Sequence, residues 1–186
     1  KAGFVAALER PADAELKAVS ERWRAGAAER GFSMAHDDPH FGEIVAARDG
    51  DGVLRGVLHF VPAYGRPAMS LSQQCHDPGT PNGLSEFLVV RAIELLRERG
   101  VEELSLNFAT FVRLHHFPEG LRDRLLGRLV GTLDGVFQIE SLYRFNVKFG
   151  PRLEPRYLVF ESPLALPRVG LAAIFAEGQL SKPLRG

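Results

Sequence analysis

Cysteine is almost missing from this chain: one residue, Cys75, occurs in 186. It has no partner for an intramolecular disulfide and no second thiolate for a zinc cluster, so a reducing compartment suits the chain. A charge excess is missing too. Lys+Arg 23 and Asp+Glu 23 cancel to a formal net charge of zero, so no whole-molecule field draws the chain to phosphate or anionic lipid, and any such binding must be local. Long apolar runs are absent, each being broken by Arg, Glu or Pro well short of the roughly 18 residues of a membrane span. The chain is therefore expected not to cross a bilayer by itself, while lying against one stays open. It opens at Lys1 with neither an initiator methionine nor a signal-type apolar run, so it is expected to be a piece of something longer. What is present is ordinary globular usage, 45% hydrophobic and 25% charged, which predicts one domain over residues 1–186.

Periodicity supplies the elements. Leu16, Val19, Trp23 and Ala27 recur at three- and four-residue steps and predict a helix over 12–30, with Asp13 near its start and Gly31 ending it. Residues 43–48 and 53–64 flank Asp49-Gly50-Asp51-Gly52 and predict a hairpin. A third antiparallel strand is expected over 68–74, reached through Pro62 and Pro67, which stop the second. A loop from His76 to Gly83 leads to a central helix over 84–99, with Asn82 as its N-cap and Gly100 as its stop. The alternation over 103–109 predicts a strand, so strand, helix and strand form a crossover, and the sheet is expected to splay beside that strand. Further helices are expected over 121–133, 137–149 and 164–177, and a strand over 156–161. Together these predict an α/β (α+β) sandwich, a mixed sheet covered by helices on both faces. The N-acetyltransferase fold has this order of elements. In that fold the turn before the central helix carries two or more glycines plus Arg or Gln, because bare amides at a helix N-terminus cradle the coenzyme A pyrophosphate. Here Thr80-Pro81-Asn82-Gly83 has one glycine, a proline without an amide and no basic residue, which argues against acetyl-CoA and leaves a CoA-dependent N-acyltransferase as the weakest reading.

A set of landmarks then resembles one family. They are Gly31-Phe32-Ser33-Met34; Pro81-Asn82-Gly83 with Glu86-Phe87-Leu88; Leu104-Ser105-Leu106-Asn107-Phe108-Ala109; Leu142-Tyr143-Arg144-Phe145-Asn146-Val147-Lys148-Phe149; Pro155-Arg156-Tyr157; and Pro167-Arg168-Val169-Gly170 with Ala176-Glu177-Gly178. In this order they resemble the C-terminal domain of the phosphatidylglycerol lysyltransferases, or multiple peptide resistance factors, and within them the actinobacterial lysyl-phosphatidylglycerol synthases. The resemblance implies transfer of an aminoacyl group, lysyl by analogy, from aminoacyl-tRNA to a phosphatidylglycerol hydroxyl at the cytoplasmic face of the membrane, and no metal or redox cofactor. It further implies a membrane-anchored full-length protein and a lysyl-tRNA synthetase module as a partner. A tRNA- or lipid-binding regulatory domain of the same fold, impaired in catalysis, is the alternative.

Candidate site residues follow from both sources. The family's strand before the Pro-Asn-Gly turn reads Ser, apolar, Asp, two variable residues, Arg, and its two charged groups are expected to face substrate. Here that register is Ser70-Leu71-Ser72-Gln73-Gln74-Cys75, so Ser72 and Cys75 hold the catalytic positions in substituted form. Asn82, Gly83, Glu86 and Asn107 are expected to line the substrate cleft, with capping left open as the other use of Glu86 and of Asn107. Arg144, Lys148, Arg152 and Arg156 recur at four-residue steps with Tyr143 and Tyr157 beside them, a pattern suited to a tRNA acceptor end or a lipid phosphate, although Pro151 interrupts it. His36, His40, His59, His76, His115 and His116 show no metal spacing and are expected at the surface or in the core. The stripe of Leu164, Leu166, Val169, Leu171, Ile174 and Phe175 is open between facing the core and dipping into a membrane interface.

Overall fold

The computed structural model of the chain describes residues 3–24, 41–106, 120, 121, 124, 139–155, 157 and 159–176. It divides into two units, residues 1–105 with 159–186, which carry the sheet, and residues 106–158. In the first unit, β1 (Val5–Leu8), α1 (Asp13–Arg24), β2 (Glu43–Arg48), β3 (Leu54–Ala63), β4 (Ala68–His76), α2 (Leu84–Glu98) and β5 (Glu103–Ser105) follow one another. The strands lie in sequence order, antiparallel from β1 to β4 and parallel between β4 and β5.

The hairpin between β2 and β3 forms where expected. Asp49 Oδ1 accepts the amides of Asp51 at 3.0 Å and Val53 at 2.9 Å, and Gly52 adopts φ 78° to close the turn. Between Ala47 and Arg48 the register slips by one residue, so Leu54 and Val57, three apart, reach the same layer. That layer joins Leu16 and Val19 of α1 to Ile44, Ala46, Leu54, Val57 and Cys75. The opposite face is covered by α2. Gly56 has no side chain, and a Cβ there would come within 2.9 Å of Leu88 Cδ1 and 3.3 Å of Leu84 Cδ2. Leu84, Leu88, Val89, Ala92 and Leu96 form the buried stripe of that helix, each large side chain contributing about 1.5–3 kcal/mol by leaving water. Helices thus cover both faces of a mixed sheet, as the element order predicts.

Several expectations are corrected. Val5–Leu8 forms an additional edge strand, although only Gly3 and Pro11 around a short apolar run announce it. β3 itself ends at Ala63, one residue short of the expected strand; Pro62 falls beyond Glu43↔Phe60, the last pair with β2, where a missing amide costs one ladder at most. The N-cap of α2 is Gly83, at φ 101°, and not Asn82; the cap makes no side-chain hydrogen bond. The strand expected over 156–161 is absent among its described residues: Tyr157 and Val159 are exposed, and strand propensity without burial against a partner does not make a strand. β5 closes at Ser105, and residues 107–109 lie outside the described residues, as do most of 121–133 and all of 25–30. After a 3-10 turn (Pro163–Ala165) the last helix is α4 (Leu166–Ala176), with Leu164 and Leu171 exposed, so its stripe does not face the core throughout. The second unit contributes α3 (Ile139–Val147), inside the expected 137–149.

Candidate active site

Strand β4 carries the two expected catalytic positions, Ser72 and Cys75. Its pairing with β5 covers Ala68↔Glu103 to Ser70↔Ser105; among the described residues, Leu71 to His76 have no ladder on that side. On the β3 side, His59 pairs with Gln73 and Phe60 with Leu71, which leaves Ser72 as the extra residue of a β-bulge. Ser72 therefore sits where the ladder is locally broken, and it is partly exposed. Cys75 is placed differently. It is 7% exposed in the layer under α1, and burial pushes its thiol up to about 12 against the opposing pull of Arg22 and Arg24. A thiol there is a packing group, out of reach of a substrate.

Beyond Cys75 the strand ends in a polar corner that the spacing of the histidines does not reveal. In a parallel pair joined by a helix, ligands bind outside the carboxyl ends of the strands, and His76 occupies that end of β4. Its ring lies 4.2 Å from that of Trp23, centroid to centroid, with the planes inclined by 49°. Nδ1 is 3.2 Å from Ser85 Oγ, on the first turn of α2. Burial lowers the His76 pKa below the ordinary value, and the charges of Asp77 and Glu86 oppose that shift. Asp77 is buried but amply satisfied: Gly79 N–H donates to it at 2.9 Å, Arg22 Nε lies at 2.8 Å and an Arg55 guanidinium nitrogen at 2.9 Å. These partners hold its carboxyl below the usual range, the Gly79 amide contributing most. Of the expected cleft residues, Asn82, Gly83 and Glu86 stand at this same end, at the start of α2. The run Cys75-His76-Asp77 at a strand terminus was the available signal. What hid it was that Trp23 and Ser85 come from distant parts of the chain.

His59 is a core histidine, 4% exposed, whose Nε2 hydrogen-bonds the Phe41 carbonyl. His36, His40, His115, His116, Asn107 and Arg156 lie outside the described residues.

The basic set belongs to the second unit. Tyr143 and Arg144 lie on α3, which ends at Val147, so Lys148 stands just past the helix and Arg152 follows the turn at Gly150, φ 59°, and Pro151. The four-residue spacing therefore does not make one helical face. Lys148 Nζ sits 5.9 Å from the centroid of Phe145, whose ring meets Phe149 edge-on at 5.3 Å, and Arg152 pairs with Glu154 at 2.8 Å.

The family described as phosphatidylglycerol lysyltransferase, C-terminal, matches residues 2–160. The lysylphosphatidylglycerol biosynthesis bifunctional protein LysX of Mycobacterium avium is 34% identical over 200 aligned residues, which cover 98% of this chain and 17% of that protein. The LysX of Gordonia bronchialis is 37% identical over 185, covering 92% of this chain and 16% of its own length. The chain thus spans about a sixth of the length of the curated relatives it matches. The solved structure of L-PGS from Bacillus licheniformis superposes with a TM-score of 0.75 over 97% of this chain and 57% of that one, at 18% identity, and so shares the fold. By the family match and these relatives, the chain belongs to the phosphatidylglycerol lysyltransferase C-terminal family.

Proposed function

We propose that residues 1–186 act as one aminoacyltransferase domain, which moves a lysyl group from lysyl-tRNA to a hydroxyl of the phosphatidylglycerol head group at the cytoplasmic face of the membrane. The observation that carries this reading is the family match over residues 2–160, joined to relatives whose names specify lysylphosphatidylglycerol biosynthesis. A lysyl-tRNA synthetase module is the partner that supplies the donor. The aminoacyl ester is already activated, so the protein has to orient the lipid hydroxyl, remove its proton and stabilise the oxyanion that develops on the ester carbonyl. The carboxyl end of β4, with the start of α2, is the place in this fold suited to that work. Arg144, Lys148 and Arg152, with Arg156, are assigned to the phosphates of the donor or the lipid.

One observation favours a second reading. Cys75, one of the two positions that the family resemblance marks as charged and catalytic, lies in the core, so a tRNA- or lipid-binding domain without transfer activity is the alternative. Incubation with lysyl-tRNA and phosphatidylglycerol vesicles, followed by mass spectrometry of the lipid fraction, decides between them. Lysyl-phosphatidylglycerol is the expected product; binding of either substrate with no lysylated lipid rejects the transferase reading.

A further inference from the structure

Strand β4 offers no carboxylate to accept a proton, since Ser72 occupies its bulge and Cys75 is buried. At its end stands a group that can. His76 is clamped on two sides, by Ser85 Oγ at 3.2 Å from Nδ1 and by the Trp23 ring at 4.2 Å. A third neighbour is Gly56, paired with His76 across β3, where an added Cβ would meet His76 Cβ at 3.3 Å. The charged groups nearby are Asp77 and Glu86; Asp77 is occupied by Arg22, Arg55 and the Gly79 amide. An imidazole with one nitrogen fixed by a hydroxyl and its ring held against a tilted indole has the arrangement of an oriented base.

We propose that His76 is the general base of the aminoacyl transfer, its Nδ1–H donated to Ser85 Oγ and its Nε2 lone pair receiving the proton of the acceptor hydroxyl. The inference rests on the transferase reading above. In the step, the lipid O–H bond breaks as its oxygen bonds to the ester carbonyl carbon, and the proton passes to Nε2. Collapse of the tetrahedral intermediate breaks the carbonyl carbon to tRNA oxygen bond, and that oxygen takes the proton back from His76. One ester and one hydroxyl are consumed and one of each is formed. Ser85 is the positioning residue. Burial keeps the ring neutral at pH 7, the state a base requires.

The test measures, from pH 5 to 8.5, both lysyl transfer to phosphatidylglycerol vesicles and hydrolysis of lysyl-tRNA without lipid, where water is the acceptor. Wild type, His76→Gln and Ser85→Ala are compared, and emission of Trp23, the one tryptophan of the chain, with thermal melting reports folding. The wild-type rate is expected to fall as the pH drops through a value below the ordinary histidine pKa of about 6.5. His76→Gln is expected to lose about 100-fold in rate together with that acid limb, with KM for lysyl-tRNA little changed. Ser85→Ala is expected to lose about 10-fold and to shift the limb, because it frees the ring without removing it. Transfer that persists within a few-fold in His76→Gln, or a slower rate that keeps the acid limb, overturns the proposal and leaves the transferase reading standing. Hydrolysis of lysyl-tRNA that depends on His76, with no lysylated lipid, does the reverse. Neither reaction in the wild type overturns both.

Discussion

Asp77 is buried and still ionised, because a backbone amide and two guanidinium groups surround its carboxylate. Cys75, two residues earlier, has the opposite surroundings, an apolar layer with Leu16, Val19, Ile44 and Val57. The contrast decides what each position tolerates. Cys75→Arg is expected to destabilise the domain by about 3 kcal/mol or more, since it puts a guanidinium into an apolar layer with little water. Cys75→Ala is expected to cost only about 1–2 kcal/mol through the small cavity it leaves. Urea midpoints of the two variants check this; an arginine variant as stable as the alanine variant shows that the side chain escapes the core.

At the scale of elements, β3 and α2 are joined by an absence. Gly56 lets the first two turns of the helix approach the sheet closely, with Leu88 fully buried against it. Gly56→Val inserts a branched side chain into space held by Leu88, Leu84 and His76. It is expected to cost about 2–3 kcal/mol by overpacking, despite the better strand propensity of valine. The same substitution presses on His76 Cβ, so the emission of Trp23 should change in the folded variant. A denaturant midpoint at or above that of wild type contradicts this packing. The irregular steps in the ladders act at the same scale. One brings Leu54 into the layer under α1, and the other places Ser72 at a break in β4.

For the whole molecule, a formal net charge of zero leaves binding of a polyanion to local groups. In the second unit Arg144 and Lys148 are exposed beside the end of α3, and no helix among the described residues is long and apolar enough to cross a membrane. Lys148→Ala is expected to weaken lysyl-tRNA binding several-fold at 50 mM salt and less at 200 mM, lowering the slope of log K against log salt by about 1. Filter binding over that range measures it. Equal affinities and slopes for variant and wild type show that Lys148 takes no part in binding the donor.

Local chemistry was enough to determine much of this protein. The Asp-Gly turn specifies its hairpin by positive φ and Asp side-chain acceptors, the 3.6-residue stripe of α2 specifies its buried face, and ordered landmarks from Gly31 to Gly178 indicate the family. The N-cap of α2 was less legible, since Asn82 and Gly83 both suit a cap and only the backbone angle at Gly83 separates them. The strand expected over 156–161 failed for a related reason, because propensity does not show whether a pairing edge is nearby. Tertiary structure alone decided where the side chains of Ser72 and Cys75 lie. Alternation along β4 is reset at its bulge, so a count along the strand does not tell which side chains reach the core, and Cys75 does. It alone also assembled the corner at His76, where Trp23 arrives from α1, Ser85 from α2 and Gly56 from β3. Sequence distance carries no information about such a meeting, which exists only once both helices have packed on the sheet.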